Sequence, residues 1–333
     1  MAIYRILTLD GGGQLEMTST LLLADIEKRR PGFLAKTQLI AGTSAGAMVG
    51  LILATQDDPA ALLPATDKLW QDFFFLSMNS VFGAMLGLVG LGAFFSNERL
   101  EQYLSQDSLL GDKTLGDLKK RVLITAFNLD HKDERTGIRT WKPKVFHNCG
   151  PLDEPDLKEK AVDIAMRSGA SPVFFPVVDN YIDGGVFANH PAMSAISQIL
   201  ADWRRGFPAG AEKPGVLDDL RVLSLGVGQD RQYVDAGDGN WGYLNWVLNP
   251  LKPLLILGAL LHGDSWAVNF EAEHVLPLGH YFRLDPYYVV NSYIPGMVDT
   301  AVMRKTVESE ETQKMIDRSV EWLDKSGWMS DEI

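Results

Sequence analysis

The stretch Thr37-Gln38-Leu39-Ile40-Ala41-Gly42-Thr43-Ser44-Ala45-Gly46-Ala47-Met48-Val49-Gly50-Leu51-Ile52-Leu53-Ala54 decides the fold. It opens as a short β-run, Thr37 to Ala41, and turns sharply at Gly42. From Ser44 to Ala54 it reads as a helix so rich in Ala, Met, Val, Leu and Ile that it belongs inside the protein. The same grammar stands upstream. Ile3 to Leu9 is a β-rich run, Asp10-Gly11-Gly12-Gly13 turns the chain, and Thr18 to Arg29 has helical spacing with basic residues in its last turn. Two such βα units in one parallel sheet bring both glycine loops to the carboxyl ends of their strands, where open α/β sheets bind ligands.

Working outward, Pro59 to Phe75 predicts a helix, and Asn97 predicts a cap for another over Glu98 to Ser105. Arg121 to Asp130 is a hydrophobic strand, and Ile138 to Phe146 alternates like its antiparallel partner, so the sheet is expected to be mixed. Leu157 to Arg167 is an amphipathic helix, Val173 to Val178 a short apolar strand, and Pro191 to Arg204 a helix begun by Asn189 and Pro191. Leu220 to Val227 is a further strand, and a polar-faced helix is expected from about Asp299 to Lys325. Residues 1–333 are thus expected to form one α/β domain, with its motifs between about 3 and 205. A Gly-rich lid or interface insertion is expected over about 73–96, and 206–333 is the less legible remainder.

The 333 residues are 46% hydrophobic and 22% charged, enough to build a sizeable core. A formal net charge of −12 removes the counterion-release drive that nucleic-acid binding needs. The single Cys149 makes neither an internal disulfide nor a Cys-based metal cluster, which fits a reducing compartment. No charged n-region, long apolar h-region or cleavage site opens the chain. The apolar run Val81 to Phe95 would span roughly 22 Å as a helix, against a hydrocarbon core of about 30 Å. The expected location is cytoplasmic. Any contact with a membrane would be peripheral and rest on apolar insertion, since the net charge gives no broad grip on anionic lipid.

Three loops carry chemistry. In Gly42-Thr43-Ser44-Ala45-Gly46 the glycines leave room for a nucleophile on a tight strand-to-helix turn, and Ser44 stands at a helix N-terminus where developing negative charge is favoured. The plain alternative is a capping serine. None of His131, His147, His190, His262, His274 and His280 sits in a triad signature, and Ser44 comes too early in the chain for an α/β-hydrolase elbow. Asp183, held between Tyr181-Ile182 and the turn glycines Gly184-Gly185, is the candidate base. A carboxylate in hydrogen-bond reach of Ser44 accepts its proton without an imidazole, and partial burial would make it a better base. Gly11, Gly12 and Gly13 can aim backbone N–H groups at an oxyanion or a phosphate. The nucleotide reading is the weaker, because no Lys-Ser/Thr follows the glycines and G-x-G-x-x-G is not matched. Asp10 is read as structural, capping the turn. No metal-ligand spacing is present.

Asp10-Gly11-Gly12-Gly13, Gly42-Thr43-Ser44-Ala45-Gly46 and Asp183-Gly184-Gly185, in this order and on these elements, resemble the patatin-like phospholipase family. Ser168-Gly169-Ala170-Ser171-Pro172-Val173-Phe174-Phe175-Pro176 adds to the resemblance. It implies a three-layer α/β/α fold with a mostly parallel central sheet and a Ser-Asp dyad acyl hydrolase without metal or organic cofactor. In that reading Ser44 is the nucleophile, Asp183 the base, and Gly11 to Gly13 the oxyanion hole. The chain departs from the family after the glycine loop, where a basic residue and a glycine usually follow and Gln14-Leu15-Glu16 stands instead. The implied substrate is a lipid or acyl ester. A soluble esterase, thioesterase or acyltransferase on the same dyad, or a non-catalytic lipid-binding module, is the alternative.

Overall fold

A computed structural model describes residues 3–330, except 81–82, 84–86, 88–89, 151–154, 206–216, 231–232, 238, 248, 250–254 and 290–298. The strands are β1 (Tyr4–Leu9), β2 (Leu39–Thr43), β3 (Arg121–Lys132), β4 (Arg139–His147), β5 (Tyr181–Asp183), β6 (Leu220–Leu225) and β7 (Tyr281–Leu284). The helices are α1 (Glu16–Arg29), α2 (Phe33–Lys36), α3 (Ala45–Leu53), α4 (Leu63–Ser77), α5 (Glu98–Leu104) and α6 (Ala161–Ser168), followed by α7 (Gly185–Ala188), α8 (Ala192–Arg205), α9 (Tyr243–Trp246), α10 (Leu255–Val275), α11 (Thr300–Glu308) and α12 (Glu310–Lys325). One sheet runs in the order β4-β3-β2-β1-β6-β7, parallel from β3 to β7, with β4 and β5 antiparallel to β3.

β1 is buried along its whole length, as a central parallel strand covered on both faces must be. Its alternation divides the core. Leu7 and Leu9 join Ile40 against α1, α3 and α4, while Tyr4 and Ile6 join Leu39 and Ala41 against Ala192, Ile196 and Ile199 of α8 and Ala272 of α10. The result is a three-layer α/β/α fold around a mostly parallel sheet, as the family resemblance implies. Its last two parallel strands come from beyond residue 205.

The long strand β3 positions the site. β2 pairs along its first residues and ends with Thr43 opposite Thr125. Beyond that point β5 takes the vacated edge from the opposite direction, with Asp183 opposite Ala126. The residue that follows Thr43 and the residue that ends β5 therefore meet head to head.

Some expected elements move. The second strand covers Leu39–Thr43 rather than Thr37–Ala41, which puts Gly42 and Thr43 in the strand and Ser44 directly on the turn. Val173 to Val178 is not a strand. Val173 has φ of 75°, Pro172 and Pro176 offer no N–H, and Tyr181–Asp183 pairs with β3 instead. The helix expected over Asp299 to Lys325 is two helices, because Ser309 leaves helical geometry and accepts the Thr312 N–H as the cap of α12. α10 and β7 were not read as a helix and a strand at all. Part of the expected lid, 81–82, 84–86 and 88–89, lies outside the described residues. Its end is pinned, since Phe94 and Phe95 donate backbone N–H groups to the carbonyls of Val173 and Phe174 at 3.2 and 2.7 Å. Among the described residues no helix is long and apolar enough to cross a membrane.

Candidate active site

Ser44 adopts φ 54° and ψ −121°, a conformation that costs a non-glycine residue about 1–3 kcal/mol. The surroundings enforce it. A Cβ on Gly42 would lie 2.5 Å from the Gly46 carbonyl oxygen, and one on Gly46 would lie 2.5 Å from the backbone oxygens of Leu9 and Asp10. Only glycines let α3 begin this close to β1, and that closeness thrusts Ser44 out of the turn. The buried Ser168 hydroxyl accepts the Ser44 N–H at 2.8 Å and fixes the elbow from the C-terminal end of α6.

Ser44 Oγ donates to Asp183 Oδ2 at 2.6 Å. Asp183 Oδ1 accepts the Gly185 N–H at 2.7 Å, so the short helix α7, opened by Gly184 and Gly185, orients the carboxylate. Both side chains are buried. Burial pushes the Asp183 carboxyl up to about 6, against the opposing pull of the Ser44 and Gly185 hydrogen bonds. None of the six histidines hydrogen-bonds either residue. His190 is buried against the Ser224 hydroxyl at 2.8 Å, and burial beside Arg283 holds it well below the usual histidine range, hence neutral. His262 lies exposed on α10 at the cavity wall.

The glycine loop lies against the serine. A Cβ on Gly11 would touch Cβ of Ser44 at 3.1 Å. Gly11 does not offer its N–H to a ligand: it donates to the Asn189 carbonyl at 3.0 Å, and the Asn189 amide returns a bond to the Gly11 carbonyl at 3.2 Å. Gly12 and Gly13 open a short 3₁₀ turn, and their N–H groups have no acceptor among the described residues. Asp10 does not cap this turn. Its carboxylate pairs with Arg283 at 2.7 Å.

Above Ser44 and Asp183 opens a cavity of about 1250 Å³. Met48, Phe73, Phe95, Phe174 and Phe175 line it, together with Val227, Leu257, Leu261 and Trp266. The aromatic lining interlocks, with Phe95 5.3 Å from Phe175 between ring centres. Ser168, Asn189 and Arg283 were not picked out from the sequence as site residues. The first two lie beside quoted motifs, in Ser168-Gly169-Ala170 and six residues after Asp183, so position alone could have flagged them. Arg283 stands on a four-residue strand with no local signal.

The protein is thus an α/β/α fold that holds a serine on a strained strand-to-helix turn, hydrogen-bonded to a buried aspartate beside the Gly12 and Gly13 amides. Residues 7–196 match the family described as Patatin-like phospholipase. The chain belongs to that family. It is 28% identical to the Protein teg of Priestia megaterium and 29% identical to the putative sporulation hydrolase CotR of Bacillus subtilis, each alignment covering 86% of this chain and 88% of the relative. It is 31% identical to a cGAMP-activated phospholipase of Pseudomonas aeruginosa, over 72% of this chain and 68% of that protein.

Proposed function

We propose that this chain is a serine acyl hydrolase that cleaves carboxylic esters of phospholipids or lysophospholipids, with Ser44 as nucleophile and Asp183 as general base. The observation that carries the reading is the 2.6 Å hydrogen bond from Ser44 Oγ to Asp183 at the floor of a largely apolar cavity. Ser44 Oγ attacks the ester carbonyl carbon as its proton passes to Asp183. The carbonyl oxygen, now negative, is held by the Gly12 and Gly13 N–H groups, with Gly11 fixing the loop through Asn189. Collapse of the intermediate breaks the bond to the alcohol oxygen, which leaves with the proton from Asp183. Water then attacks the acyl-serine, again giving its proton to Asp183, and Ser44 recovers a proton as the fatty acid departs.

The cavity exceeds the usual ligand-pocket range of about 300–1000 Å³, which suits a long-chain ester. Large apolar side chains stand exposed around it, Phe74 and Phe75 on α4 and Leu260 on α10, and they support docking on a lipid surface by insertion.

A serine-reactive fluorophosphonate tests the nucleophile. Intact-mass analysis is expected to find one adduct on the wild type and none on Ser44→Ala, and the wild type is expected to release fatty acid from phosphatidylcholine vesicles. An adduct retained by Ser44→Ala moves the nucleophile elsewhere. Turnover of short soluble esters alone would replace the lipid reading with a soluble esterase.

A further inference from the structure

We propose that Arg283 is a positioning residue for this reaction: by gripping Asp10 it fixes the glycine loop, so that the Gly12 and Gly13 amides stay aimed over Ser44. The inference rests on the dyad reading and concerns a residue outside the segment that matches the family. After its glycine loop this chain lacks a basic residue, with Gln14-Leu15-Glu16 in its place. The strand register supplies one from the far end of the chain. Thr8 pairs with Ser224 on β6, and Ser224 with Arg283 on β7, so the guanidinium reaches across one strand to the residue that begins the loop.

The grip is two-pronged. Arg283 Nη2 donates to Asp10 Oδ2 at 2.7 Å and Nη1 to Asp10 Oδ1 at 3.3 Å. Nη2 also donates to Asp285 at 2.9 Å, and Nη1 to the Ser224 hydroxyl at 2.9 Å. Asp285 in turn accepts the Gly228 N–H at 2.9 Å, which ties the loop after β6 into the same unit. A fork satisfied in this way by two carboxylates has no charge left for an anionic headgroup, so its role is to hold protein.

Among the described residues, the other groups that face this cluster are uncharged or hydrogen-bonded, Asp264 on α10 accepting the His190 N–H at 3.0 Å. His190, neutral, bonds the same Ser224 hydroxyl, and Ser265 on α10 approaches Asp10 at 3.5 Å. Glu16, the first residue of α1, is fully buried, and burial beside Asp10 pushes its carboxyl well up, toward the protonated form. Burial pushes the Asp10 carboxyl up, and Arg283 is the cation, among the described residues, that opposes that push beneath the loop.

The test combines kinetics with amide hydrogen exchange over Asp10 to Glu16. Misplacing a catalytic group by an ångström costs about 10²-fold, so Arg283→Gln is expected to lose about 10- to 100-fold in kcat with little change in KM, and its loop amides are expected to exchange faster. Asp10→Asn is expected to lose a similar factor, with the double variant no worse than either single one, because both break one interaction. Arg283→Lys keeps the charge without the fork and is expected to fall between wild type and Arg283→Gln. It also carries the test if Arg283→Gln fails to fold. Wild-type kcat and loop exchange in a folded Arg283 variant, or additive losses in the double variant, overturn the proposal. Fluorophosphonate labelling of wild-type Ser44 separates the two readings: without it the dyad fails, while the exchange rates still decide whether Arg283 holds the loop.

Discussion

As the proposed base, Asp183 carries a cost in stability. Its carboxyl rises from 3.8 to about 6 because the fold buries it, so the native state favours the protonated form more than the unfolded chain does. Between those two values the folded protein holds more protons than the unfolded chain, and stability falls as pH rises. Below about 3.8 the carboxyl costs nothing; above about 6 its cost is complete, with a ceiling of about 3 kcal/mol. Activity runs the other way, because only the carboxylate accepts a proton, and kcat/KM is expected to rise through an acidic limb near pH 6. Asp183→Asn separates the two. Its carbonyl oxygen still accepts from Gly185 and its NH₂ can donate to Ser44 Oγ, so the shape survives while proton transfer does not. Turnover should drop by about 10²- to 10⁴-fold, and the thermal midpoint should exceed that of the wild type at pH 8 and approach it at pH 4. A variant less stable than wild type at pH 8 would mean that the carboxylate's hydrogen bonds outweigh its desolvation. Ser44 and Asp183 were legible because turn chemistry is local, written in adjacent glycines. Arg283 was not, because its meaning comes from strand register across 273 positions of sequence.

At the scale of elements, the β2–α3 junction was legible and its exact edges were not. Apolar runs of four to eight residues predict a strand without saying which residue pairs last, and here the pairing with β3 extends β2 to Thr43. The segment Val173 to Val178 imitates a strand in its apolar content, while Pro176, the positive φ of Val173 and the β5 pairing exclude it. α10 was hidden because its exposed apolar residues break the amphipathic pattern that marks a surface helix: of its residues only Val268 and Ala272 are buried. Two alanine substitutions measure what glycine does in these elements. Gly46→Ala places a Cβ against backbone oxygens that cannot swing away, and should destabilise by several kcal/mol or prevent folding. Gly263→Ala, inside α10 with no heavy atom within 4 Å of the added carbon, should stabilise by about 0.5–1 kcal/mol, a rise of about 1–3 °C in thermal midpoint. Equal effects at the two sites would mean that close approach does not govern the elbow.

The whole molecule joins a net charge of −12 to exposed apolar side chains on two helices that line the cavity, and the two make different demands on a lipid surface. Electrostatic adsorption needs a basic patch, contributes about 1 kcal/mol per Lys or Arg near an anionic leaflet, and fades within a Debye length as salt rises. Insertion needs exposed apolar area and is indifferent to salt. Phe75 is 60% exposed and Leu260 63%, on α4 and α10, whose residues Phe73 and Leu261 line the cavity while these two do not. Insertion should therefore dominate. Hydrolysis of phosphatidylcholine vesicles should change little between low and physiological salt, and added anionic lipid should not raise it. Phe75→Asp and Leu260→Asp should each reduce the vesicle rate about tenfold or more while leaving a monomeric short-chain ester unaffected, since the dyad and its loop are untouched. If anionic lipid accelerates the reaction and salt suppresses it, the surface contact is electrostatic and lies away from these side chains. If both ester types fall together in the Asp variants, the two side chains shape the cavity rather than its approach to lipid.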